Sequence, residues 1–164
     1  MISLIAALSE NRVIGKDNRV PWRIPADLQR LKSLTLGNTV ILGRKSYDSM
    51  TGYYSKSGRP MPGKRYIVVT TNQEYKAARE EDIVVHSIDE AILSANNENE
   101  VYVIGGQQVF EQVLPRADRL YLTVVHTEVE GDAFFPDYSA FSKVVFQENH
   151  ESDGYTYTFY TLEK

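Results

Sequence analysis

Asp27 is the acid best placed to do chemistry. It lies two residues after Pro25, and leucine recurs at 28, 31 and 34. On a helix turning about 100° per residue, Leu34, Asp27, Leu31 and Leu28 lie in that order across one arc of about 120°, so the carboxylate falls inside an apolar stripe. Two readings are open. An acid in the first turn of a helix is stabilised by the macrodipole and needs no further role. A carboxylate in an apolar pocket has a raised pKa and suits a cationic or amidine-like ligand.

Two segments pair a buried-type strand with glycine and a helix start. In Val40-Ile41-Leu42-Gly43-Arg44-Lys45-Ser46, a helix N-terminus offers unpaired amides, and two bases add charge; together they suit a phosphate. Bases at that end oppose the dipole, which favours a ligand role over a merely solvated pair. Val101-Tyr102-Val103-Ile104-Gly105-Gly106-Gln107-Gln108-Val109-Phe110 repeats the design, with glycines that allow close approach of a pyrophosphate or simply make a tight turn. It is not G-x-G-x-x-G, and the chain has no Walker A loop. Two such units in one small chain point to a dinucleotide.

Other chemistries find little footing. With no cysteine there is no disulfide, thiolate nucleophile or Cys-ligated metal. His86, His126 and His150 form no local metal motif, and no G-x-S-x-G elbow occurs, so no metal site is expected. Gly131-Asp132 reads as a turn. Eighteen basic against twenty-two acidic residues give a net charge of −4, which lacks the cationic surface that non-specific nucleic-acid binding needs.

These residues require a framework. The chain has 164 residues, 42% of them hydrophobic, the size and composition of one globular domain spanning 1–164. No apolar run approaches the ~20 residues of a membrane span. Met1–Leu8 lacks a basic flank and reads as a buried strand, so a cytoplasmic protein is expected. Strands are predicted over 2–8, 39–42, 65–71, 82–86, 101–104, 119–126, 143–150 and 155–162, the last as a half-exposed antiparallel strand. Helices are predicted over 25–34, 44–50, 87–95 (opened by the capping box Ser87-Ile88-Asp89-Glu90) and 107–114. Strand–helix alternation followed by strands alone implies a mixed α/β sheet with helices on both faces and antiparallel C-terminal additions. Ser9–Ile24 and Thr51–Arg65 read as long functional loops.

The sequence resembles bacterial dihydrofolate reductases from end to end. The matching segments, in order, are ISLIAAL, NRVIG, VPWRIPADL, TVILGRKSY, GRPMPGKR, VYVIGG, RLYLT and EGDAFFPDY. The resemblance implies an eight-stranded, mostly parallel sheet with four helices, and NADPH-dependent reduction of 7,8-dihydrofolate to tetrahydrofolate, a step feeding one-carbon metabolism. It places Asp27 against the pteridine, helping to deliver a proton to N5 while hydride passes to C6. Trp22 would help order the intervening water, and Thr123 would support Asp27. Ile5, Ala6, Leu28, Leu31, Met50, Met61, Ile104 and Phe110 would wall the folate site, with Arg59 and Lys64 towards its tail. Ala7, Val13, Ile14, Gly15, Asn18 and Arg19 would meet the nicotinamide end of the cofactor. Gly43, Arg44, Lys45, Ser46, Thr70, Thr71 and His86 would serve the phosphates and adenosine, and Ile104, Gly105, Gly106, Gln107, Gln108 and Val109 the pyrophosphate. Gly131-Asp132 would brace the Ser9–Ile24 segment. The resemblance further implies a small-molecule substrate and a monomer, with no nucleic-acid or membrane partner.

Several residues depart from the family. Lys64 stands where an arginine usually forks onto the folate carboxylate, with Arg65 as a substitute, and lysine offers only a point charge. The 51–57 segment is longer than in most members. Leu31 and Val20 replace larger side chains, and Phe110 replaces a frequent tyrosine. His86 stands where a fixed cation is common. A riboflavin-pathway pyrimidine reductase of the same fold, or a silent NADPH- or folate-binding protein, is the alternative.

Overall fold

Neighbouring residues in the central strands face opposite cores. In the computed structural model, which describes every residue except Asn18, β3 (Thr39–Gly43) sends Ile41 to one apolar cluster and Val40 and Leu42 to another. β4 (Arg65–Val69) does the same, with Ile67 on the first side and Tyr66 and Val68 on the second. The period-2 geometry of strands thus builds two layers of packing from continuously apolar runs. The first cluster is closed by α3 (Ile88–Ser94) and α4 (Gln107–Val113), the second by Tyr47 of α2 (Arg44–Ser57).

The remaining strands are β1 (Ile2–Ser9), β2 (Val13–Gly15), β5 (Ile83–Val85), β6 (Val101–Val103), β7 (Arg119–Val125), β8 (Ala133–Phe134), β9 (Lys143–Ser152) and β10 (Tyr155–Glu163); α1 spans Pro25–Thr35. Eight strands form one sheet in the order β5-β4-β3-β6-β1-β7-β10-β9, while β2 and β8 pair separately. All pairings from β5 to β7 are parallel; β10 is antiparallel to both β7 and β9. The class and the eight main strands follow the sequence reading.

The helices start where the sequence signals them. Pro25 occupies the first turn of α1, where its missing N–H costs nothing. Ser87 caps α3 by accepting from the Glu90 amide at 3.1 Å, and Glu90 returns a carboxylate to the His86 amide at 3.1 Å.

Three expectations need correction. Residues 51–57 are not loop: they continue α2 to Ser57, and the helix stops only at Gly58, whose φ of 70° gives a left-handed cap. The loop proper is therefore 58–64. Ser9–Ile24 is not wholly irregular, because β2 pairs with β8. Finally, β9 forms the exposed edge and β10 is an inner strand, which lies between two neighbours and buries Tyr157, Thr158, Thr161 and Leu162. Its alternating tyrosines match an inner strand as well as an edge.

Candidate active site

Asp27 is positioned from across the fold. β1 and β7 run side by side with Ala7 opposite Thr123, and the Thr123 hydroxyl donates to Asp27 Oδ1 at 2.6 Å. Asp27 itself keeps some surface, and Oδ2 receives no hydrogen bond from the described residues. Burial pushes the Asp27 carboxyl above its ordinary 3.8; the Thr123 hydroxyl and the Arg30 cation pull the other way without reversing it. The raised carboxyl agrees with the second reading of Asp27, and its first-turn position agrees with the first as well.

Trp22 packs with Ile24, Val125 and Tyr157, with Ala7 against the same cluster. Its Nε1–H is buried without a partner among the described residues. A buried donor left without a bond costs free energy, so the indole is aimed at something other than protein. The leucine arc of α1 is not core: Leu28 is 50% exposed, and Leu31 and Leu34 are half-buried. An apolar wall left open beside a proton-holding carboxyl is the make-up of a small-molecule site.

Other expected folate residues fall into two groups. Met50, Met61 and Ile104 pack together against the α2-side core, whereas Ile5 is buried in β1 two residues before Ala7, and Ala6 packs on the opposite core. Phe110 is buried against Phe135, with ring centroids 4.9 Å apart, and lies where a Cβ on Gly105 would come within 3.4 Å of it. Arg59 is exposed. Lys64 Nζ stands 3.4 Å from Glu98 Oε2, and Arg65 reaches the Ser94 carbonyl of α3.

The two glycine-ended strands meet. The Gly43 amide donates to the Gly105 carbonyl at 2.8 Å, and Val109 lies against Gly43. Gly105 has φ 130°, a conformation that side-chain-bearing residues rarely adopt. Ser46 Oγ is within 3.9 Å of where a Cβ on Gly105 or Gly106 would stand, so the start of α2 lies against the turn that opens α4. Arg44 is held by Asp48, one turn on, at 2.9 Å, and Asp48 also accepts from the Tyr75 hydroxyl. Lys45 and Thr71 are exposed, and His86 Nδ1 lies 2.7 Å from the Thr70 carbonyl.

The 9–24 segment is clasped by the 131–134 turn. Val13 is fully buried, and Ile14 packs on the core. The Asp132 amide donates to the Gly15 carbonyl, and its carboxylate accepts from the Asp17 amide, both at 3.0 Å. Gln107 accepts from the Phe134 amide at 2.8 Å, tying this clasp to α4. A Cβ on Gly131 would stand 2.2 Å from Val13 Cγ1, so only glycine fits there. Arg19 pairs by backbone with Lys16, and Gln108 is exposed. Asn18, expected at the cofactor, lies outside the described residues.

Sequence reasoning missed Arg30, Asp48, Tyr75, Glu98 and Gln107's bond to Phe134. Arg30 and Asp48 had a signal, since each sits one helical turn from a residue already singled out. Glu98 and Tyr75 had none, because their partners are far away in the chain.

A mixed α/β sheet with glycines where two strands run into helices, and a carboxyl of raised proton affinity at the start of α1, fits a nucleotide-cofactor oxidoreductase. The comparisons narrow this. The model of the family described as dihydrofolate reductase matches residues 1–164. The dihydrofolate reductase type 3 of Salmonella typhimurium is 46% identical over 138 residues, 84% of this chain and 80% of that protein. The dihydrofolate reductase of Bacillus subtilis is 39% identical over all of this chain and 95% of its own. The solved structure of the Enterococcus faecalis dihydrofolate reductase complexed with NADP(H) and RAB-propyl superposes with a TM-score of 0.83 at 35% identity, covering 99% of this chain and 95% of that one. The chain belongs to the dihydrofolate reductase family.

Proposed function

We infer that this protein reduces 7,8-dihydrofolate to 5,6,7,8-tetrahydrofolate with NADPH, residues 1–164 acting as one domain. The observation that carries this reading is the Asp27–Thr123 dyad: a carboxyl of raised proton affinity, fixed by one hydroxyl and open at its second oxygen, beside an exposed leucine wall. Such a carboxyl matches the 2-amino group and N3 of a pteridine, which present two adjacent donors. It also retains a proton closer to neutral pH than an exposed aspartate does. The unpartnered Trp22 Nε1–H suits a water between that carboxyl and N5.

The residues present also fit the cofactor. Gly43, Gly105 and Gly106 leave room for a pyrophosphate at two helix starts, and the family resemblance assigns Arg44, Thr70, Thr71 and His86 to the 2′-phosphate end. NADPH supplies the hydride when bound. Ala7, the Val13–Gly15 strand and Arg19 cover the nicotinamide end. Ile5, Leu28, Leu31, Met50, Met61 and Ile104 line the folate side, and Arg59 and Lys64 serve its carboxylate tail; Ala6 and Phe110 instead pack into the core on the other face of the sheet. We further propose a cytoplasmic monomer without nucleic-acid partners; the net charge of −4 supports the last of these. Among the described residues, no helix is long and apolar enough to cross a membrane.

The test is the loss of NADPH absorbance on adding dihydrofolate, with NADH run in parallel. Rapid loss with NADPH and little with NADH is expected. Binding of NADPH without turnover favours a silent binder, and turnover of a pyrimidine substrate instead favours the riboflavin-pathway reductase.

A further inference from the structure

Arg30 lies one turn after Asp27 on α1, and its guanidinium is engaged almost wholly by backbone. Nη1 donates to the Leu122 carbonyl at 2.9 Å and Nη2 to the Tyr160 carbonyl at 3.1 Å, while its carbon sits 4.6 Å from the centre of the Phe159 ring. Leu122 immediately precedes Thr123, whose hydroxyl holds Asp27. Two successive residues of β7 thus grip α1, one through the carboxyl and one through the arginine. The cation forms no ion pair with Asp27 among the described residues, so it acts as a fixed charge behind the carboxyl.

We propose that Arg30 is a positioning residue for the reaction. It fastens α1 to β7 and β10 through the Leu122 and Tyr160 carbonyls and keeps a permanent positive charge one helical turn from the Asp27–Thr123 dyad. The proposal rests on the reading of Asp27 as the acid of the site.

The charged and titratable groups facing Arg30 are few. Asp27 comes from its own helix, Tyr121 from β7 with its ring 5.8 Å away, and Glu148 from β9. Glu148 bonds His150, which packs 4.7 Å from the Phe159 ring, and Arg119 lies over the far side of the Tyr121 system. An arginine stays charged throughout the working range, so its effect on Asp27 is constant and does not switch. Burial alone would raise Asp27 further; the Thr123 hydroxyl and, after it, Arg30 limit the rise.

The test uses Arg30→Met, Arg30→Lys and Glu148→Gln in the full chain. Asp27 is titrated directly by carboxyl-carbon NMR of aspartate-labelled protein, and the pH profile of turnover is recorded beside it. Arg30→Met moves the Asp27 ionisation to higher pH by about half a unit or more, and turnover persists to correspondingly higher pH. Arg30→Lys keeps the charge and returns most of the wild-type profile, with lower thermal stability from the lost fork. Glu148→Gln, at an exposed site, removes a negative charge facing Arg30 and moves Asp27 the opposite way. It keeps the question open to test even if Arg30→Met does not fold. Identical Asp27 titrations in the wild type and every folded variant overturn the proposal, as does a shift in Arg30→Lys as large as in Arg30→Met. If the wild type does not reduce dihydrofolate, the proposed function fails, while the NMR titration still decides the coupling.

Discussion

Asp82 accepts from the Tyr47 hydroxyl at 2.7 Å, the Tyr66 amide at 2.8 Å, and Arg79 through Nε at 2.9 Å and Nη2 at 2.7 Å. Asp27, also drawn into the fold beside a hydroxyl and an arginine, accepts from Thr123 alone. The Asp82 carboxylate is fully committed: it ties α2 to β4, and its arginine bonds the Gly63 carbonyl at the end of the 58–64 loop. Asp27 has an oxygen to spare and an arginine that bonds carbonyls instead. Both sites join a carboxylate to a hydroxyl and an arginine, and they differ in satisfaction and in burial, Asp82 being buried and Asp27 half-buried. A carboxylate whose acceptors are all used holds structure; one with an unused oxygen keeps capacity to bind something else.

The sharpest way to break this comparison is to neutralise each acid in turn. Asp27→Asn is expected to lower turnover of dihydrofolate by about a hundredfold or more at neutral pH, measured by steady-state kinetics. Near-normal turnover would remove Asp27 from the chemistry. Asp82→Asn is expected to do the reverse, costing about 2–4 kcal/mol of stability by leaving Arg79 and a buried hydroxyl badly paired. Chemical denaturation reads that loss, and turnover of the folded fraction should stay within a few-fold of wild type.

Stability against pH sharpens the contrast. The Asp27 carboxyl ionises at higher pH in the folded state than its ordinary 3.8, so the folded protein binds more protons there than the unfolded one across that interval. Stability from this group is therefore highest below the unfolded value and falls as pH rises through the folded one. Asp27→Asn removes that penalty, so the variant is expected to gain stability over the wild type at pH 7 and lose the advantage at about pH 3. A gain that grows towards acid would contradict the raised carboxyl.

Two smaller effects probe the surroundings. Gly131→Ala forces a methyl group into Val13 and is expected to cost about 1–3 kcal/mol, loosening the clasp on the 9–24 segment and weakening NADPH binding more than folate binding. Lys64→Ala is expected to raise the Michaelis constant for dihydrofolate by only a few-fold, because Glu98 already shares the ammonium. Glu98→Gln should lower that constant slightly; an unchanged constant in both would move the tail contact to Arg59 or elsewhere.

Much of this was legible in the chain. The eight main strands appear as apolar runs, and Pro25, Ser87 and the two glycine ends mark helix starts by local steric and hydrogen-bonding rules that act within a few residues. Asp27 stood out because helical periodicity placed it among leucines. The 51–57 segment was misread because its polar residues and Gly52 resemble a loop, whereas the decisive stop, Gly58, lies just beyond. The last strand reads as half-exposed because its alternating tyrosines suit an inner strand or an outer one, and only pairing decides which is covered.

The sequence by itself pointed to the alternation of elements, to Asp27 as a candidate acid and to the two glycine-ended strands, since each depends on residue type and short-range spacing. The tertiary structure alone decided that Thr123 would fix Asp27, that Arg30 would bond carbonyls rather than Asp27, and that Asp82 would take up Tyr47 and Tyr66 besides its neighbour Arg79. Most of those partners lie far off in the chain, 96 residues in the case of Thr123 and Asp27 and 35 for Tyr47 and Asp82. Hydrogen bonding and burial respond to distance in space, and a chain fixes that distance only by folding.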